Sequence, residues 1–225
     1  MLPKTAADYA KTIDHTLLKP TATPNEIRSL CEDAVRHGFF SVCVNPAYVP
    51  LCRSILEQEE TALCTVVGFP FGATSPRNKA QETAWAVEHG ANEIDMVINL
   101  GWAKAGDWRA VQIDINEVVR AAEGALVKVI IENCYLTDAE KAAACSASQD
   151  AGAQFVKTST GFGTGGAVIE DVALMRRTVG DALGVKASGG IRSLETMQAM
   201  LEAGANRIGA SSGVAILGEI NQSAQ

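Results

Sequence analysis

A lysine at the end of an apolar, β-branched run is costly to bury, and this chain carries two, in FVKTSTGFGTGG (155–166) and VKASGGIR (185–192). The two, Lys157 and Lys186, stand 29 residues apart. A lysine attacks a carbonyl only as the neutral amine, and a second ammonium beside it favours that form by like-charge repulsion. The pair points to Schiff-base chemistry, with Lys157 as nucleophile and Lys186 as its tuner. Asp95 lies among apolar neighbours in EIDMVIN (93–99), where an ionised carboxylate is costly unless a cation is close. Imine formation expels water from a carbinolamine, and a carboxylate beside lysines can relay the protons. Taken singly, each residue has a plainer role: a buried aspartate usually belongs to a structural ion pair, and a strand-end lysine often snorkels. Together they make a specific set that favours catalysis.

Glycines and small hydroxyl residues cluster after three strand-like runs, at Thr160-Gly161, Ser188-Gly189-Gly190 and Gly209-Ala210-Ser211-Ser212. Such loops can turn backbone N–H groups and hydroxyls toward a phosphate. The expected anion site is therefore Gly161, Gly189, Gly190, Gly209, Ser211 and Ser212; the plainer reading of the glycines is tight turns. GFGTGG (161–166) also fits the dinucleotide fingerprint G-x-G-x-x-G. A nucleotide fold would want an acidic residue at the end of the next strand, where this chain reads Val185-Lys186-Ala187. That departure argues against a dinucleotide site.

The elements that must position these residues show as a repeat. RHGFFSVCV (36–44), EHGANEIDMVI (88–98), DAGAQFVKT (150–158) and EAGANRIGA (202–210) each read as a helix end, a capping glycine and a strand. Their glycines are spaced by 52, 62 and 52 residues, and each interval holds one more strand-like run: 61–69, 125–132 and 184–188. With a short first strand near Thr12 to Asp14, eight strands alternate with helices. Thr23-Pro24-Asn25-Glu26 and Thr137-Asp138-Ala139-Glu140 spell capping boxes, and apolar residues after Ser193 recur at helical spacing. The pattern predicts a compact α/β fold, a (β/α)8 TIM barrel with an extra short N-terminal helix and one domain over 1–225; a doubly wound open sheet is the alternative. In a barrel, chemistry sits where strands end, and both lysines are placed there.

A net charge of −7 and pI near 5.0 argue against a nucleic-acid or anionic-membrane surface. No apolar run has the length of a membrane span, and the first residues lack a signal-peptide pattern, so a cytoplasmic protein is expected. The six cysteines are scattered without a Cys-x-x-Cys pair, which predicts free thiols and no zinc site. Cys43 belongs on the second strand, where it can approach the site. His37 and His89 precede capping glycines and suit a structural role, while His15 either lines the first strand's mouth or is structural. The inward or outward direction of Lys128 is open at this stage.

In order along the chain, IDHTLLKP (13–20), SVCVNPAYV (41–49), VVGFPFGA (66–73), EIDMVINLG (93–101), VKVIIENCYLTD (127–138), FVKTSTGFGTGG, VKASGGIR and RIGASSG (207–213) resemble the deoxyribose-phosphate aldolases, a family of class I aldolases. The resemblance covers nearly the whole chain. It implies a (β/α)8 barrel that reversibly cleaves 2-deoxy-D-ribose 5-phosphate to D-glyceraldehyde 3-phosphate and acetaldehyde, in deoxyribonucleoside breakdown. It implies neither a metal nor an organic cofactor. Carried over by motif, Lys157 forms the Schiff base, Lys186 is its partner and Asp95 the proton relay, with the phosphate cradle on the glycines and serines named above. A homo-oligomer, dimer or tetramer, is also expected. Some members end in a tyrosine thought to protonate the enamine; this chain ends EINQSAQ, which leaves that donor to another group such as an ordered water. The alternatives carried with this reading are a Schiff-base aldolase for another sugar phosphate and a non-catalytic phosphate-binding barrel.

Overall fold

Eight parallel strands close on themselves in the computed structural model, which describes residues 2–223: β1 (Ile13–Leu17), β2 (Ser41–Val44), β3 (Ala62–Val67), β4 (Glu93–Val97), β5 (Leu126–Ile130), β6 (Phe155–Lys157), β7 (Gly184–Ser188) and β8 (Arg207–Ala210). Each strand bonds to the next, and β8 returns to β1 through Ile13 opposite Ile208. A short helix α1 (Ala6–Ala10) precedes the barrel, as expected. After the strands come α2 (Pro24–His37), α3 (Val49–Leu56), α4 (Pro76–Glu88), then α5 (Leu100–Lys104) and α6 (Trp108–Ala121) together behind β4. The series ends with α7 (Asp138–Asp150), α8 (Ile169–Val179), α9 (Leu194–Glu202) and α10 (Gly213–Ser223). Closure excludes the open doubly wound sheet.

The local signals act where the sequence places them. Thr23 and Thr137 each cap the backbone N–H three residues on, and Glu26 and Glu140 return a bond to the cap. The four glycines of the repeat, Gly38, Gly90, Gly152 and Gly204, all have positive φ at helix ends. Two expectations need correction. The first strand runs from Ile13 to Leu17 because its pairing with β2 continues as far as Leu17 opposite Val44. Lys186 lies inside β7, since Ser188 still pairs with Gly209 two residues beyond it; only Lys157 ends its strand.

Alternation along the strands divides the core into two parts. Ile94 and Met96 of β4, Val127 and Val129 of β5, Val185 and Ala187 of β7 and Ile208 of β8 face outward into the layer beneath the helices. Their neighbours Glu93, Asp95, Lys128, Lys186 and Arg207 turn into the barrel, where they pair with one another. Branched apolar side chains usually fill the interior of such barrels. Here a few apolar groups, among them Cys43, Cys64 and Val66, share it with a cluster of charges.

One buried pair in the helix layer bears on the site. Lys79 of α4, fully buried, reaches Asp114 of α6 at 2.5 Å and the Val97 carbonyl at 2.8 Å. It ties two helices to the end of β4, the strand that carries Asp95. Breaking such a pair from one side leaves a buried charge uncompensated.

Candidate active site

Asp95 is the hub of the barrel interior. Its Oδ2 lies 2.7 Å from Lys157 Nζ and 2.8 Å from Lys186 Nζ, while its Oδ1 lies 2.8 Å from Lys128 Nζ. Strand register makes this possible: Asp95 is the Cα partner of Lys128, and Lys157 of Lys186, so each pair projects to one face of adjacent parallel strands. The cluster continues downward through Asp14, 2.5 Å from Lys186 and 2.7 Å from Arg207, and through Glu93, 2.6 Å from Lys128. Gly209 beside it must lack a side chain, because a Cβ there would stand 2.9 Å from Ser188 Cβ and 3.1 Å from Lys186 Cε.

Four cations (Lys128, Lys157, Lys186, Arg207) thus meet three carboxylates (Asp14, Glu93, Asp95). A neutral amine at one lysine leaves the two signs equal. Lys128 has three carboxylates within 4.0 Å, and Lys186 and Arg207 have two each. Among the described residues Lys157 has only Asp95, and it alone of the four lines the open cavity above. Burial disfavours the Lys186 ammonium, yet Asp14 and Asp95 outweigh it and hold the group above the usual lysine range. Lys128 is raised in the same way, with Asp95 foremost against its burial. The arrangement therefore places a fixed ammonium beside the one lysine of the buried cluster that reaches the cavity.

Burial opposes charge on Asp95 and Asp14 as well, but Lys128, Lys157 and Lys186 hold Asp95 well below the usual carboxylate range, and Lys186, Lys128 and Arg207 do the same for Asp14. A carboxyl depressed in the folded state stabilises it fully above the unfolded pKa of about 3.9, and that stability is lost as pH falls through the folded value. Urea midpoints measured from about pH 6 down to about pH 2 are expected to hold nearly level to about pH 5 and then drop steeply. A flat profile below about pH 4 would mean the cluster contributes no net stability.

Above Lys157 the strand ends open into a cavity of about 350 Å³. Gly161, Gly189, Gly190, Gly209 and Ser211 line it, so five of the six expected anion-site residues share one wall system with Lys157. Ser212 is not in that wall; its carbonyl accepts the Ile216 N–H at 3.0 Å at the start of α10. Two cations that residue patterns did not single out, Lys19 and Arg192, complete the lining. Lys19 is held by Glu26 at 2.5 Å. At Gly166 a Cβ would stand 2.2 Å from the Gly189 carbonyl oxygen, so the loop after β6 can lie against that after β7 only as glycine. A larger hollow of about 830 Å³ opens at the other end of the barrel, beside Thr12, Phe155 and Gly184, which stand at or just before strand starts. Its cation, Arg176, is bonded to the carbonyls of Gly204 at 3.0 Å and Leu183 at 2.8 Å, so that hollow offers none of the lysine–carboxylate chemistry.

The remaining candidates fall into place around this site. All six cysteines are free thiols. Cys43 and Cys64 stand opposite one another on β2 and β3, with sulfurs and an Asp95 oxygen within 4.8 Å of one another. The cation position there is already held by Lys128, 2.8 Å from Asp95 Oδ1 and 3.4 Å from Cys64 Sγ. His15 is buried against Phe39, and burial pushes its imidazole down. His89 stacks on Trp85, with its Nδ1 2.7 Å from the Trp85 carbonyl oxygen, and His37 stacks on Phe39. Asp14, Glu93 and Arg207 were missed as cluster members. Period-two parity could have flagged Glu93, which lies two residues before Asp95 and so shares its face.

Residues 9–223 match the model of the DeoC/LacD family of aldolases. The chain is 59% identical over 212 residues to a deoxyribose-phosphate aldolase of Carboxydothermus hydrogenoformans, covering 92% of this chain and 93% of the relative. It is 59% identical over 207 residues to a deoxyribose-phosphate aldolase of Streptococcus gordonii, covering 92% and 94%. Among solved structures it is similar to the tetrameric deoxyribose phosphate aldolase of Aeropyrum pernix, with a TM-score of 0.92, 35% identity, and 97% and 93% of the two chains covered.

Proposed function

The chain belongs to the DeoC/LacD family of aldolases, and from that premise we propose that it cleaves 2-deoxy-D-ribose 5-phosphate reversibly to D-glyceraldehyde 3-phosphate and acetaldehyde through a Schiff base on Lys157. The observation that carries the residue assignment is the surplus cation: Lys157, with one carboxylate partner and a place in the cavity wall, sits beside the fixed Lys186 ammonium. The neutral amine adds to the aldehyde carbon of the open-chain sugar. Asp95 takes and returns protons between Lys157 and the carbinolamine, whose hydroxyl leaves as water. The protonated imine then draws the electron pair of the neighbouring carbon–carbon bond into an enamine, and the departing carbinol carbon becomes the aldehyde of glyceraldehyde phosphate as its hydroxyl proton passes to water; protonation of the enamine carbon from water and hydrolysis of the resulting imine release acetaldehyde and the free Lys157 amine. The loops at Gly161, Gly189, Gly190, Gly209 and Ser211, with Arg192 and Lys19, hold the phosphate, and that remote binding positions the reacting carbons.

Borohydride reduction in the presence of acetaldehyde, followed by peptide mass mapping, tests the reading directly. A single ethyl adduct at Lys157 is expected. Label at Lys186 would reverse the two lysine roles, and no label under conditions that mark a known Schiff-base enzyme would favour a silent phosphate-binding barrel. Turnover of another sugar phosphate in place of deoxyribose 5-phosphate would move the chain to a different aldolase specificity.

The tuning role makes its own prediction. Lys186→Leu removes an ammonium from beside Lys157 and frees Asp95 Oδ2 and Asp14 from a shared cation, and both changes favour the charged form of the nucleophile. Imine formation, followed by trapping rate against pH, is expected to require higher pH than in the unaltered protein. An unshifted profile would reduce Lys186 to a structural ion.

No helix among the described residues is long and apolar enough to cross a membrane. The proposal includes a cytoplasmic enzyme of deoxyribonucleoside breakdown that assembles as a dimer or tetramer, which sedimentation equilibrium would measure.

A further inference from the structure

Glu132 combines two costs that a simple turn does not require. It stands just past β5 with left-handed backbone, φ 55° and ψ 66°, a region that disfavours any residue with a Cβ. Its carboxyl is buried, the residue being 2% exposed, and the barrel's lysines turn to Asp14, Glu93 and Asp95 instead of to it. A turn alone would be served by glycine or asparagine, and a buried carboxyl without a cation needs hydrogen bonds to persist.

The carboxyl's nitrogen and oxygen donors come from one residue, and Cys134 Sγ adds a longer contact, 4.0 Å from Oε1. Thr160 donates its backbone N–H to Glu132 Oε1 at 3.1 Å and its hydroxyl to Oε2. The Thr160 hydroxyl oxygen in turn accepts the Phe162 N–H at 3.0 Å, across Gly161 at φ 85°. Thr160, Gly161 and Phe162 are cavity wall, three to five residues past Lys157. The backbone on either side of Glu132 is tied to the same segment, with Ile131 N–H donating to the Lys157 carbonyl at 3.0 Å and Asn133 N–H to that of Thr158 at 2.9 Å.

We propose that Glu132 is a positioning residue for substrate selection, holding the loop after β6, through Thr160, in the shape that receives the phosphate of the sugar. It does not touch the reacting carbons. This rests on the aldolase reading above, and it assigns the phosphate-facing geometry to a carboxyl that lies outside the lysine cluster.

The test uses Glu132→Gln, which keeps an oxygen for the Thr160 N–H but turns an acceptor into a donor at the hydroxyl, and Thr160→Val, which removes only the hydroxyl. Thr160→Ser is the rescue. In the full chain, Glu132→Gln and Thr160→Val are expected to raise KM for deoxyribose 5-phosphate about tenfold, the scale of one lost hydrogen bond to a charged acceptor. In both, kcat, the rate of acetaldehyde trapping at Lys157, and kcat/KM for unphosphorylated deoxyribose should stay within about threefold, while Thr160→Ser should restore KM to within about twofold. Loss of kcat and trapping together with KM unmoved would overturn the proposal, as would equal losses with phosphorylated and unphosphorylated sugar or lower stability with unchanged kinetics. Absence of trapping in the unaltered protein would instead remove the aldolase reading itself.

Discussion

Lys157→Ala is expected to abolish cleavage of deoxyribose 5-phosphate, by at least about 10⁴-fold in kcat, while the barrel folds at close to its original stability. The two halves of that result have separate causes. On the proposed mechanism, without the amine there is no imine, and without the imine no electron sink for the broken bond; the proposed phosphate loops should still bind but would have nothing to position against. Stability is spared because Lys157 is the surplus cation. Removing it leaves Lys128, Lys186 and Arg207 against Asp14, Glu93 and Asp95, three charges of each sign, and every remaining carboxylate keeps at least one partner. The measurements are a coupled assay for glyceraldehyde phosphate, borohydride trapping with acetaldehyde, and a urea melt. Residual turnover with an adduct on another lysine would transfer the nucleophile's role, and a badly destabilised variant would show that the charge count misjudges the cluster.

Asp95→Asn should fail in both respects. The amide removes the carboxylate shared by three lysines and leaves four cations facing two carboxylates in a water-poor interior. Leaving a buried charge unpaired costs about 3–5 kcal/mol, so a large drop in the guanidine midpoint is expected. Loss of the proposed proton relay should lower kcat by about 10²–10⁴-fold, the range general acid–base catalysis supplies. A second substitution separates the two effects. Lys157 loses its partner outright, whereas Lys128 keeps Glu93 at 2.6 Å; Lys128→Met in the Asp95→Asn background lowers the cation excess from two to one, and it should recover part of the stability and little of the activity. Recovery of both would reduce Asp95 to a structural counterion. An Asp95→Asn protein as stable and active as its parent would contradict the hub arrangement outright.

Much of this molecule was legible one element at a time. The capping boxes at Thr23 and Thr137 are bonds made within a single helical turn, and the glycines after α2, α4, α7 and α9 answer to local backbone sterics. Such signals survive in any fold that uses the element, so counting them was enough to reach eight alternating strands and helices. The cost of burying lysine in a strand is likewise a property of residue type, which is why Lys157, Lys186 and Asp95 stand out in the sequence alone. What remained hidden depended on neighbours distant in sequence. Lys128 could not be assigned a direction because period-two parity gives alternation without saying which face is inside. Asp14 and Arg207 carry little signal alone, being separated by 193 residues and joined only when β8 closes on β1. Lys19 and Arg192 sit in loops, where no periodicity reports direction; Glu132 gave no hint that it would adopt a left-handed backbone to reach Thr160.

By itself, then, the sequence determined the elements, their order, and which residue types would be costly enough to need a reason. Only the closed barrel decided how those costs are met: register sets Asp95 beside Lys128 and Lys157 beside Lys186, and closure brings Asp14 and Arg207 together below them. The physical reason is the reach of the forces involved. Caps and turns are settled within a few bonds of the residue that makes them, whereas the charge balance that singles out Lys157 is a sum over six strands and exists only once all of them share one interior.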